Sequence, residues 1–366
     1  MSSALSIYFG LPEARLFRFP PGPHPPLIRP AREEISWKRP INISSTVYNF
    51  SLDARVPIIT ACLYLVFVCA LNYLNKKRQY RPWPITRTTS FTRIAFVHNI
   101  LLSIFSAWIF LGVYQTVTSS LPPPPRAPYH IADVLCRFDR SQGSGLLPES
   151  TAAGSKPSPL ATLHDGFAGI YEAESLWEKG MNYYTWMFYM SKYYEIIDTV
   201  LLLVKGKRVS SLQMYHHAGV IICSWVGVIY RTPQAVVGVS LNAGIHTLMY
   251  LYYSLTVLRI KVPVVIKQTL TRLQIAQFIL GGLASWLYAF VSYDSPIDVS
   301  LVETKDISDN QTYVRGEGAS NAAPCIDNSG QVFALLLATL YLIPLTQLFL
   351  RFFGRTYKLA AKEKGL

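Results

Sequence analysis

Charge is scarce in this chain of 366 residues: only 15% are Asp, Glu, Lys or Arg, against about 25% in an ordinary soluble domain. With 51% hydrophobic residues, that scarcity excludes a disordered or fibrous protein and argues against a soluble cytosolic enzyme. Acidic residues are the rarer sign, 21 against 34 Lys and Arg. In a soluble protein this excess would point to nucleic acid. In an apolar chain it marks cytosolic loops and contact with anionic head groups or ligands, so no nucleic-acid partner is expected. The five cysteines are scattered and form no CxxC pair, which argues against a thiol metal site or a disulfide scaffold. No internal repeat is evident. The N-terminal stretch lacks the apolar core of a cleaved signal peptide.

What is abundant is long apolar runs. A transmembrane helix needs roughly 20 such residues, and seven segments qualify: Val56–Leu74, Ile94–Val117, Met181–Val204, Leu212–Tyr230, Val236–Leu258, Leu270–Val291 and Val332–Phe353. The expected fold is an all-α polytopic membrane protein with seven transmembrane helices. A Pro- and Arg-rich tail, 1–55, precedes the membrane domain, 56–353, and is expected to be luminal and partly disordered. A cytosolic tail, 354–366, follows. Long polar loops, 118–180 and 292–331, interrupt the domain and are expected to be luminal. Cys136 and Cys325 lie one in each loop and are able to pair there.

Lys and Arg follow the first, third, fifth and seventh spans, among them Lys76, Lys205, Lys207, Arg208, Arg259 and Arg355. The positive-inside rule puts these regions in the cytosol, with the N-terminus luminal and the C-terminus cytosolic. The sequons at Asn42, Asn49 and Asn310 all fall on the luminal side, where glycosylation occurs.

Ionisable residues within a span cost a few kcal/mol on insertion scales and mark function by default. Lys192, Glu195, Asp198 and Thr199 share a face about 120° wide. Gln213, His216 and His217 share one on the fourth span. Asn242, His246, Met249, Tyr250 and Tyr253 form a stripe on the fifth, and Thr271, Gln274 and Gln277 on the sixth. His98 and Asn99 lie in the second. One shared interior explains four polar stripes more simply than four lipid-facing faults. Taken singly, each has a structural reading: Lys192 with Glu195 or Asp198 as an ion pair, the histidines and glutamines as interhelical hydrogen bonds. At a rise of 1.5 Å per residue, His216 lies about 6 Å into its span and Gln274 about 6 Å into the sixth. The stripes thus line a chamber in the cytosolic half, rimmed by basic loops. An apolar tube toward the lumen would suit a ligand with a polyanionic head and a long apolar tail.

Four segments carry a resemblance. Lys192-Tyr193-Tyr194-Glu195-Ile196-Ile197-Asp198-Thr199 matches KxxExxDT, and Gln213-Met214-Tyr215-His216-His217 resembles HxxHH with Gln213 in the first His position. Asn242 to Tyr253 matches NxxxHxxMYxYY, and Thr271 to Gln277 matches TxxQxxQ. In this order they resemble the ELO family of very-long-chain fatty acid elongases of the endoplasmic reticulum, over roughly residues 56–291. The resemblance implies seven transmembrane helices, six of them forming a barrel around an acyl tunnel open to the cytosol. It also implies condensation of a long-chain acyl-CoA with malonyl-CoA to 3-oxoacyl-CoA, CoA and carbon dioxide. Both thioesters are substrates, and no cofactor is implied. The chain has no nucleotide-binding motif, so a 3-ketoacyl reductase, a dehydratase and an enoyl reductase are expected partners, besides membrane lipid and a possible second copy.

Such a condensation needs an acyl acceptor and enolate stabilisation. No cysteine falls on the polar faces, which leaves imidazole. His216 is the candidate acyl acceptor. His217 and His246 would orient the malonyl thioester and stabilise the enolate, with Asn242 and Gln213 as hydrogen-bond donors. Lys192 would neutralise the malonyl carboxylate or pair with Glu195 and Asp198. Tyr250, Tyr253, Gln274, Gln277 and His98 are candidate substrate contacts, and Lys205, Lys207, Arg208 and Arg272 candidate contacts to CoA phosphates. The C-terminal Lys362 and Lys364 resemble a dilysine retrieval signal. A di-iron desaturase needs about eight histidines as ligands; this chain has seven in all, three of them outside the spans. A zinc site from His216, His217 and His246 is geometrically conceivable. A seven-helix lipid-handling or transport protein, or an inactive acyl-CoA-binding relative, is the alternative function.

Overall fold

The computed structural model describes residues 7–121, 124, 128–136, 138, 175–294 and 322–358. These residues are mostly helical. A short helix α1 (Ser45–Leu52) leads into α2 (Arg55–Lys77), α3 (Thr89–Ser120), α4 (Pro128–Cys136), α5 (Asn182–Tyr194), α6 (Ile196–Val204), α7 (Ser211–Ile229), α8 (Ala235–Val257), α9 (Val264–Phe290) and α10 (Ser329–Phe353). Local signals set the starts. Thr88 caps α3 by accepting from the Phe91 amide at 3.2 Å, Ser210 caps α7 from Gln213 at 3.3 Å, and Asn328 caps α10 from Gln331 at 2.9 Å. Pro263 stands before α9.

Among the described residues six helices are long and apolar enough to cross a membrane: α2, α3, α7, α8, α9, and α10 with the turn that continues it to Tyr357. The chain is therefore a multi-pass membrane protein. The third expected span is not one helix. It breaks at Glu195 into α5 and α6, neither long enough to cross alone. There the Asp198 amide donates to the Glu195 carbonyl at 3.1 Å, a three-residue turn that tightens the helix where the carboxylate turns inward.

The fold is also not wholly α. Strands β1 (Ile7–Phe9), β2 (Val291–Asp294) and β3 (Ala322–Pro324) form an antiparallel sheet in the order β1-β2-β3, with Ile7 opposite Tyr293 and Tyr293 opposite Ala323. Cys136 and Cys325 are joined in a disulfide, which ties α4 to the end of β3. The tail, expected to be partly disordered, has defined contacts from residue 7 onward. Asn42 and Asn49 are exposed. Asn310, Lys362 and Lys364 lie outside the described residues, as does most of both long loops.

Neighbours run α3 to α8, α8 to α9, α9 to α10, α10 to α7, α7 to α5 and α5 back to α3, with α2 against α6 and α7. At one end of the helices the connections interlock. The Trp83 backbone amide donates to the Val204 carbonyl at 3.0 Å, and the Asn75 side-chain Nδ2 to the Leu203 carbonyl at 2.8 Å. Gly206, at φ +70°, passes so close that a Cβ would stand 2.4 Å from the Tyr80 carbonyl oxygen. Only glycine meets both demands. The α2–α3 and α6–α7 connections, both basic, therefore sit side by side.

Candidate active site

Lys192, on the last turn of α5, is buried and reaches two partners. Its Nζ donates to Glu195 Oε1 at 2.7 Å and to Asn242 Oδ1 on α8 at 3.1 Å, with the Phe188 ring centroid 4.0 Å away. Burying either ion alone would cost several kcal/mol, so the pair and its hydrogen bonds are mutually required. The lysine also orients the next side chain. Since Asn242 Oδ1 accepts from Lys192, its Nδ2 faces His246 Nε2, at 3.3 Å. His246 therefore accepts at Nε2 and carries its proton at Nδ1, which points toward Glu195 Oε1 at 3.7 Å, too long for a hydrogen bond. Glu195 Oε1 also accepts from Ser191 Oγ at 3.2 Å, whereas Oε2 is buried with no partner.

The two histidines of α7 part company. His217 accepts from Gln213 Nε2 at 2.9 Å, one turn back, and Gln213 also reaches Thr199 Oγ1 at 3.3 Å. Tyr64 on α2 stands 3.0 Å from that Thr199 oxygen. His217 Nδ1 is buried and unpartnered. His216, rotated about 100° from its neighbour, turns to α10 instead. Its Nδ1 lies 2.7 Å from the Tyr341 hydroxyl, which in turn points to the His216 carbonyl at 3.3 Å. A hydroxyl has one proton. Donated to the carbonyl, it leaves the Tyr341 oxygen to accept from Nδ1–H and the His216 Nε2 lone pair free. Gly219 permits this approach: a Cβ there would stand 2.4 Å from the Tyr341 ring. The two imidazole centroids are 5.3 Å apart.

A third group surrounds Asp198. His98 Nε2 meets Oδ1 at 2.7 Å and the Tyr250 hydroxyl donates to Oδ2 at 2.6 Å. The Tyr250 ring lies 5.5 Å from that of His246. The four motif residues thus serve three groups: Lys192 with Glu195 in one, Thr199 in the second and Asp198 in the third.

A cavity of about 210 Å³ runs between α5, α7, α8, α9 and α10. His216, Asn242, Gln277 and Tyr341 line one part of it, and Val228, Thr232 and Gln234 another. Gln277 keeps a buried, unpartnered Oε1. Cys223 lines it too, two turns beyond His216 and on the same helix face, which corrects the expectation that no cysteine falls on the polar faces. Gln274 does not join this group; its amide meets Met249 Sδ at 3.2 Å. Tyr253 packs on Tyr250 and Tyr252, with ring centroids 6.0 and 5.6 Å away. Lys207, Arg208 and Arg272 are exposed. Lys205 is half-buried near Phe91, and burial, then the neighbouring Lys207, holds its ammonium below the usual lysine range. Among the described residues no group of three or more His, Cys, Asp or Glu is arranged to hold a metal ion.

Sequence reasoning missed Tyr341, Tyr64 and Ser191. Tyr341 had a faint signal, as the lone tyrosine within an aliphatic final span. Tyr64 and Ser191 had none, being an ordinary aromatic and hydroxyl of apolar spans.

The family model described as ELO: GNS1/SUR4 family matches residues 49–365. The chain is 38% identical over 104 residues to long chain fatty acid elongase 1 of Caenorhabditis elegans, covering 28% of this chain and 36% of that protein. It is 28% identical over 228 residues to a putative fatty acid elongase of Dictyostelium discoideum, covering 62% and 60%. To human very long chain fatty acid elongase 3 it is 30% identical over 107 residues, covering 29% and 40%. The matched segments therefore span between about a third and three fifths of these relatives. With the family model matching most of its length, residues 49–365, this chain belongs to the ELO family.

Proposed function

We propose that the protein is a condensing enzyme of fatty acid elongation, a membrane acyltransferase that makes 3-oxoacyl-CoA from a long-chain acyl-CoA and malonyl-CoA. The observation that carries this reading is His216: one ring nitrogen is held by Tyr341, while the residue lines an apolar cavity. In the first step His216 Nε2 bonds to the acyl carbon as the C–S bond breaks, and the ring proton passes to the CoA sulfur. In the second, malonyl-CoA loses carbon dioxide and the resulting enolate carbon bonds to the acyl carbon. The C–N electrons return to the imidazole, which takes up one proton.

The unpartnered polar atoms suit the second substrate. His217 Nδ1–H and His246 Nδ1–H are donors for the enolate oxygen, and Lys192 with Asn242 holds the His246 tautomer. The interlocked basic connections, with Lys205, Lys207 and Arg208, serve the CoA phosphates. The seventh crossing is the α5–α6 pair, and the cyclic neighbour order of α3, α8, α9, α10, α7 and α5 closes a six-helix barrel around the acyl tunnel. The basic connections face the cytosol and the N-terminus the lumen of the endoplasmic reticulum. Separate reductases and a dehydratase complete the cycle.

The test is carbon dioxide release by detergent-purified protein given malonyl-CoA and a panel of acyl-CoAs. Release that requires both thioesters and vanishes in His216→Ala supports condensation. No release, with acyl-CoA still bound, favours an inactive acyl-CoA-binding relative. Gln213, in the first position of the HxxHH box, is what favours that second reading.

A further inference from the structure

Residues 7–44 precede the part of the chain that matches the family, 49–365. Between Pro12 and Pro40 they hold eight prolines. Proline has no N–H and resists helix and sheet interior, so such a segment runs extended with its carbonyls unpaired. Here side chains of the membrane helices take those carbonyls. Trp108 on α3 donates to the Trp37 carbonyl at 2.8 Å. Tyr184 and Tyr183 at the start of α5 donate to the carbonyls of Lys38 and Ile41, both at 3.0 Å. Tyr230, ending α7, donates to that of Gly22 at 3.4 Å, and Arg231 to that of Pro26. The Gly22 amide donates to Ser329 Oγ, at the start of α10, at 2.9 Å, and the Gly10 amide to the Phe290 carbonyl, at the end of α9, at 2.9 Å. The segment thus ties the middle of α3 to one end of α5, α7, α9 and α10.

That end is where the cavity stops. Thr232 and Gln234, in the α7–α8 connection, line it, directly after the Arg231 that holds Pro26. Val228, Val239 and Ala334 line it too and belong to the hydrophobic cluster that contains Ile43, with Leu27 packed against it. The segment itself contributes no lining residue; it forms the layer behind the wall. Gln234 presents a buried amide with neither polar atom partnered, a poor neighbour for further methylenes. From His216 to Val228 the cavity follows α7 for about 18 Å at 1.5 Å per residue.

We propose that residues 7–44 form a strap that sets the longest acyl chain this protein accepts, by holding the α7–α8 connection and the start of α10 against the far end of the acyl cavity. This rests on the condensing reading: the acyl carbonyl sits at His216 and the methyl end at Val228, Thr232 and Gln234. A loosened strap lets this wall yield, so longer chains enter while short ones are handled as before.

The test uses full-length protein and a ladder of saturated acyl-CoAs in two-carbon steps. The variants are Tyr230→Phe and the pair Pro26→Gly with Leu27→Ser. The longest chain condensed at half the maximal rate is expected to move up by one or two steps, with the rate on shorter chains within twofold of the unaltered protein. Normal turnover with an unchanged chain profile overturns the proposal. No carbon dioxide from any acyl-CoA in the unaltered protein overturns the condensing reading instead. Should the variants fail to fold, acyl-CoAs carrying a terminal diazirine report on the unaltered protein without needing turnover. The longest chain accepted should label residues 228–234, and the next one up should lose both binding and label. Labelling confined to other helices overturns the strap.

Discussion

The two ends of the cavity are built by opposite means. Around His216 and His246, side chain meets side chain: Lys192 to Asn242 to His246, Gln213 to His217, Tyr341 to His216. At the far end, side chains meet backbone: Trp108, Tyr183, Tyr184 and Tyr230 each donate to a carbonyl of the N-terminal strap. The first arrangement fixes tautomers and leaves chosen atoms bare, which chemistry needs. The second fixes the position of a chain, whatever its side chains. Substitutions at the first end should change rates, and stability as well where they strand a buried charge, whereas those at the second should change stability and chain preference with the rate on short chains kept.

The largest effect should come from His216→Ala, with carbon dioxide release falling to background while acyl-CoA binding persists; unchanged release would erase the distinction between the ends. Lys192→Met leaves Glu195 buried without its counter-charge and should cost about 3–5 kcal/mol, read as a lowered melting temperature in detergent. Tyr341→Phe keeps the ring and removes the hydroxyl. A hydrogen bond of about 1 kcal/mol net corresponds to a kcat roughly fivefold lower, with acyl-CoA affinity unchanged. A loss of affinity with kcat preserved would assign Tyr341 to packing. Trp108→Phe removes one strap hydrogen bond, and should lower stability by about 1 kcal/mol with kcat on short chains intact. The smallest effect concerns Lys205. Its proton is lost at lower pH than that of a free lysine, so CoA affinity should weaken as pH rises through that lowered range. Lys205→Met should flatten the profile.

The histidine end was legible in the sequence because its residues recur at helical spacing on four spans. Gln213 to His217 and Asn242 to His246 are i,i+4 pairs, and both proved to be hydrogen-bonded pairs. What spacing left hidden is how one face divides. His216 and His217 are adjacent in sequence, yet one turns to α10 and the other to Gln213, because Gly219 leaves room for Tyr341 only on the His216 side. The break at Glu195 was hidden too, since hydropathy sees one continuous span. The strap was least legible. Its strand β1 pairs with β2 some 280 residues away, and its proline-rich composition alone reads as disorder.

The most direct test of the account is the site of acylation. Protein incubated with acyl-CoA alone, without malonyl-CoA, is digested and analysed by mass spectrometry, before and after a malonyl-CoA chase. The expected result is one acyl group on the peptide bearing His216, lost on the chase with formation of 3-oxoacyl-CoA. An adduct on Cys223, or steady condensation with no adduct on any residue, would contradict it.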